Sequence, residues 1–217
     1  MNWKLITSLC VGLVVVAGSV FAADAAVKVD RIAQLKNIYK TDKPAALTFA
    51  NAILADDSAT LAERKKAIHF GFNAIIKNRN AFFEALSDAD KKIAPYWIRH
   101  AYFMGIGDFA EAKQIATLTK AYNLLAASCA GLGDKVGEYA AWEKWILTGK
   151  LTPTQFIVAL AKLRLVSLSV TNAVYLQTLN DASRFCHPVE QDFDLWADAA
   201  SKLDLCKRDL AAIIAAE

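Results

Sequence analysis

The side chains able to carry chemistry are few and scattered. His69, His100 and His187 stand far apart, and none has a second His, a Cys or an acid pair at the three- or four-residue spacing of a helical zinc site. No metal and no cofactor are expected, and each ring reads as satisfied or exposed. Cys186 adjoins His187, but a nucleophile and its base usually come from separate segments, because chain neighbours rarely face each other. No catalytic residue is assigned there. Asp192, Asp194 and Asp198 accompany Phe193, Leu195 and Trp196 around a helix start, where the dipole favours acids. Paired carboxylates also serve glycoside hydrolysis, so a secreted hydrolase of envelope or environmental polymers is the alternative reading, with Asp192 or Asp194 as its acids. A serine-nucleophile turn, a phosphate-binding Gly loop and a His pair with Glu are all missing from the chain.

Recognition chemistry is better represented than catalysis. Tyr139, Trp142 and Trp145 follow one another at three-residue steps and so share one helical face. Helical stacks curve, and their concave faces hold peptides through aromatic and polar side chains, a role for which Arg99, Gln114, Asn123 and Lys144 are candidates. The competing role for large aromatics is to fill space between helices.

The elements that must position these residues are helices. Apolar residues recur at helical spacing nearly everywhere, and sustained alternation is missing, so the expected fold is all-α with about ten helices. A first helix is expected over 29–39. Asp42 and Pro44 start the second, which carries Leu47, Phe49, Ile53 and Leu54. A long helix spans 60–77, with Ile68, Phe72, Ile75 and Ile76 inward, and a short one carries Phe82, Phe83 and Leu86. Ser87 caps the next, and Pro95 breaks it before a helix through Met104. Segments 108–118, 121–130, 135–147 and 154–168 follow, most of them separated at Gly107, Gly133 and Gly149. Such short connections make neighbours antiparallel. The 154–168 helix is apolar on most sides, which marks it as central. Segments 170–185, 189–203 and 204–216 complete the chain.

Met1 to Lys4 forms a short basic start, 5–21 is apolar, and Val20 and Ala22 put small residues at the −3 and −1 positions of a secretory cleavage site. Residues 1–22 are expected to be a signal peptide and 23–217 a single exported domain, periplasmic or secreted, without stable membrane insertion after cleavage. A retained anchor is the alternative. The whole chain carries 25 Lys and Arg against 22 Asp and Glu, interspersed rather than clustered, so a nucleic-acid partner is not expected. Beyond the leader three cysteines remain, an odd number in an oxidising compartment. Cys129 reads as a small buried hydrophobe, and Cys186 and Cys206 as a candidate disulfide.

Gly107-Asp108-Phe109 followed by Ala112, with Tyr96 and Phe103 ahead of it, resembles the inter-helix turn of a tetratricopeptide repeat. In that family the Gly permits the turn, Asp caps the second helix, the aromatic wedges between helices and Ala allows close approach. Gly133-Asp134 resembles a second turn, 26 residues on against a family period of about 34. The resemblance covers about a quarter of the chain and implies stacked antiparallel hairpins, an α-solenoid. A non-enzymatic protein that binds a protein or peptide partner in the envelope is the expectation. A self-associating structural subunit, through the alanines of 211–216, is a further alternative.

Overall fold

The computed structural model of the protein describes residues 30–75, 77–186 and 190–216. The expected leader over 1–22, its exit at Ala22, Ile76 and His187 lie outside them. The described residues form twelve α-helices and no strand. In chain order these are α1 (Arg31–Thr41), α2 (Lys43–Ala55), α3 (Leu61–Ala74), α4 (Arg79–Glu84), α5 (Asp88–Ile93), α6 (Tyr96–Gly105), α7 (Phe109–Thr119), α8 (Tyr122–Gly131), α9 (Lys135–Leu147), α10 (Pro153–Val166), α11 (Asn172–Ala182) and α12 (Phe193–Ala216).

Local chemistry sets the helix boundaries. The Asp42 carboxylate accepts the Ala45 amide at the start of α2, with Pro44 in the first turn. Thr60 and Glu63 close a reciprocal capping box on α3, and Thr152 with Gln155 does the same on α10. Ser87, Asp108, Asp134 and Thr171 cap α5, α7, α9 and α11. Gly107 and Gly133 take φ of +82° and +71°, which a side chain would resist, and each turns the chain directly into an Asp cap. Between α7 and α8 the same left-handed step falls on Lys120, with φ of 54°.

Sequence neighbours pack as spatial neighbours: α2 on α3, then α6 on α7, α7 on α8, α8 on α9 and α9 on α10. Beyond that the order breaks, because α12 packs on both α10 and α11, and α11 also touches α9. Three apolar clusters result. Leu35, Ala46, Ala50 and Ile53 join α1 to α2 and α3; Ile68, Phe72, Phe82, Phe83 and Ile98 join α3 to α6; Tyr139, Ile146, Phe156, Leu163, Leu179 and Leu203 join α9 to α12.

Two expected boundaries are corrected: the helix expected over 60–77 ends at Ala74, where Ile75 is already extended, and the break at 204 is missing. Residues 193–216 form one helix of 24 residues rather than two meeting at 204. Neither Gly nor Pro interrupts the stretch, and Asp204 points outward near Lys207 instead of capping a new helix. No helix among the described residues is long and apolar enough to cross a membrane.

Candidate functional site

The aromatic face of α9 is consumed by the core. Tyr139 is 3% exposed and Trp142 8%. The Tyr139 hydroxyl meets Thr178 Oγ1 at 3.0 Å, and Thr178 in turn donates to Glu143 at 2.7 Å, tying α9 to α11. Trp145 is half-buried, its ring 5.5 Å from that of Trp142. Arg99 lies on α6, which packs on α4, α7 and α8, and its Nε is buried without a hydrogen-bond partner. Of the four residues, Tyr139 and Trp142 are packed inside, while Trp145 and Arg99 are half-buried. The reason is that Tyr175, Thr178 and Leu179 of α11 cover the face that the three-residue spacing creates.

The expected disulfide is likewise not formed in the structure, where Cys129, Cys186 and Cys206 are all free thiols. Cys186 stands in the fields of Asp204 and Lys207, which share a helix face, and burial pushes its thiol up to about 11. Cys206 is turned about 100° from Lys207 on the same helix, toward Arg164 and Tyr175. Cys129 is buried, as its apolar neighbours required. No group of three or more His, Cys, Asp or Glu among the described residues could hold a metal. Asp192 and Asp194 are exposed, and Asp198 pairs with Lys202 at 2.8 Å.

Two polar constructions escaped the sequence. His100 Nε2 lies 3.1 Å from the Leu124 carbonyl and 2.9 Å from Ser128 Oγ. A carbonyl only accepts, so Nε2 carries the proton, and the pair is a buried structural contact between α6 and α8, not a nucleophile and base. Arg64, which reads as a solvated charge within Glu63-Arg64-Lys65-Lys66, instead grips Asp90 through Nε at 2.8 Å and Nη2 at 2.7 Å. Asp90 is almost fully buried and also accepts from Ser87 Oγ. The pair stands on the wall of a cleft of about 770 Å³ between α2 and the α3 to α5 region. Both Asp90 oxygens accept from the protein itself, while Asp57, exposed at the same cleft, makes no ion pair or side-chain hydrogen bond among the described residues.

These groups set the pH dependence. Burial pushes the His100 ring below the usual 6.5, partly offset by the Leu124 carbonyl, and burial with Lys66 does the same at His69. The unfolded chain protonates these rings first, so stability falls as pH drops below 6.5. Burial alone raises the Asp90 carboxyl, but the Arg64 and Ser87 hydrogen bonds and the Arg64 charge outweigh it and hold the group low. Hydrogen bonds from Ser58 and Arg31 hold Asp56 at about 2, and those from Lys113 and the Gly137 amide lower Asp134. Their stabilisation is present above the ordinary value of 3.8 and is lost as pH falls through the lowered ones. Melting temperature followed from neutral to strongly acid pH should therefore decline in two stages. A flat profile down to pH ~5 would rule out the buried neutral histidines.

A concavity that combines apolar walls with unpaired charge lies between α10 and α12. It has two contiguous reaches, one of about 430 Å³ walled by Ile157, Leu160, Ala161 and Leu205, the other of about 420 Å³ walled by Leu168, Tyr175, Leu210 and Ile213. Arg164, Leu165, Cys206 and Asp209 belong to both. The expected centrality of α10 is thus half right. Phe156, Leu160, Leu163 and Val166 are buried, but Leu165 is 73% exposed and Leu168, just past the helix, 97%. The Tyr175 hydroxyl is buried without a hydrogen-bond partner, and burial pushes it up to about 12. Arg164 and Asp209 make no ion pair or side-chain hydrogen bond among the described residues. The signal in the sequence was a helix apolar on most sides, close to the end of the chain, with few segments left to cover it. Neither Asp192 nor Asp194 lines this groove or the α2 cleft.

No family model matches the chain, and comparison with curated proteins and with solved structures finds no match. The groove is the feature on which a functional reading can stand.

Proposed function

We propose that the protein is an exported, non-enzymatic binding protein, its residues 23–217 forming a single stack of helical hairpins of the tetratricopeptide kind. It holds a protein partner in the periplasm or cell envelope through the α10–α12 groove. One observation carries this reading: a continuous apolar trough stays open at the end of the helical stack, with large aliphatic side chains standing beside it in solvent. Soluble monomers rarely leave such contiguous patches uncovered, and those that persist mark interaction sites. Support for the hairpin reading comes from the sequential packing of α6 to α10 and from the two Gly-Asp turns, where Phe109 wedges against Gly131 and Ala112 is fully buried.

Crosslinking in cells tests the surface. The intact chain should yield a crosslinked protein adduct that Leu165→Asp reduces ~10-fold or more, since a charge in an apolar contact removes a hot spot. Equal adduct yield from both chains would place the interaction elsewhere.

A further inference from the structure

We propose that the occupant of the α10–α12 groove is a second copy of this chain, docked about a two-fold axis that passes between α10 and α12. This rests on the groove being a protein-docking surface, as set out above.

The groove meets the condition for an isologous contact, which is that one face must be complementary to itself. It carries both the projecting and the receiving halves of an apolar contact. Leu165 and Leu168 stand out at 73% and 97% exposure, and beside them the trough is floored by the buried Leu160, Tyr175 and Leu210, with Leu205 and Ile213 on its walls. The leucine ridge of each copy can then enter the trough of the other.

Charge selects the same occupant. Arg164 stands on α10 and Asp209 on α12, both belong to both reaches of the groove, and neither is ion-paired among the described residues. A surface built for an acidic partner would present cations, and one built for a basic partner would present acids. Lys202, which also lines the groove, is already paired with Asp198 at 2.8 Å, so the unpaired charges are one of each on opposite walls. Under a two-fold rotation Arg164 of each copy meets Asp209 of the other, so two ion pairs form and no charge is left unmatched. The alanines of 211–216, the self-association surface expected from sequence, offer little beyond methyl groups. The groove offers whole leucine side chains.

Sedimentation equilibrium on the purified full chain, from about 1 to 100 µM, should show a concentration-dependent monomer–dimer exchange. Leu165→Glu, at an exposed position, should keep the helical circular dichroism and weaken the dimer ~100-fold, because each substitution counts twice across the axis. Arg164→Glu and Asp209→Arg should each weaken it ~10-fold, and the two together should restore it to within ~3-fold, since the swapped charges again face opposite signs. A monomer at every concentration, a dimer indifferent to Leu165→Glu, or a double swap that stays weak overturns the proposal. If the chain is monomeric yet Leu165→Asp still abolishes the cellular adduct, the groove is a docking surface for a different protein. If neither occurs, the groove reading falls as well.

Discussion

Trp142→Ala should destabilise the protein by ~3–5 kcal/mol, the range for removing a large aromatic from a packed core. The indole is 8% exposed and sits among Tyr139, Ile146 and the side chains of α10 and α11, so the cavity left behind cannot fill with water at no cost. In a chain of this size that corresponds to a fall in melting temperature on the order of 10 °C. Trp145→Ala, at a half-buried neighbour, should cost about half as much. Trp142→Phe should cost least, because it also removes an indole N–H that is buried without an acceptor. Urea denaturation of the three variants checks the order. Were Trp142→Ala to melt like the parent chain while losing its cellular adduct, the α9 aromatics would be a binding surface after all.

Asp90→Ala should cost about 3 kcal/mol, although it removes only a small side chain. The loss comes from what remains: the Arg64 guanidinium keeps its bond to the Asp56 carbonyl at 3.3 Å but loses the two that neutralised it, in a site where its side chain is 21% exposed. Arg64→Met strands the nearly buried Asp90 carboxylate instead and should be at least as costly. Combining Arg64→Met with Asp90→Leu should recover much of the loss, since no unpaired charge is then buried. A double-mutant cycle measures this directly. Additive losses would mean that the two side chains act independently and that the pair does not clamp α3 to α5.

The parts of the fold legible in the sequence are those encoded within four residues. Thr60 with Glu63, Ser87, Asp108 and Gly107 announce their helix starts and turns because each cap bonds an amide two or three positions on. The same local logic misplaced a boundary at Asp204, a residue type that caps helices but here lies within one, its carboxylate solvated. Arg64 was illegible because its partner lies 26 residues away and nothing in the tetrad around it distinguishes it from Lys65 or Lys66. Tyr139 and Trp142 were correctly seen to share a face, yet a face does not say whether it is covered. Thr178, 39 residues on, answered that.

By itself, then, the amino-acid sequence determined an all-helical chain, most of its helix boundaries and the turns at Gly107 and Gly133, because helical period and capping are settled by neighbours along the chain. Only the tertiary structure decided which apolar faces are spent and which are left over. That outcome depends on how α11 and α12 return against α9 and α10: they close over Tyr139 and Trp142 and stop short of Leu165 and Leu168. Coverage is a property of packing between distant segments, and no periodicity within a helix contains it.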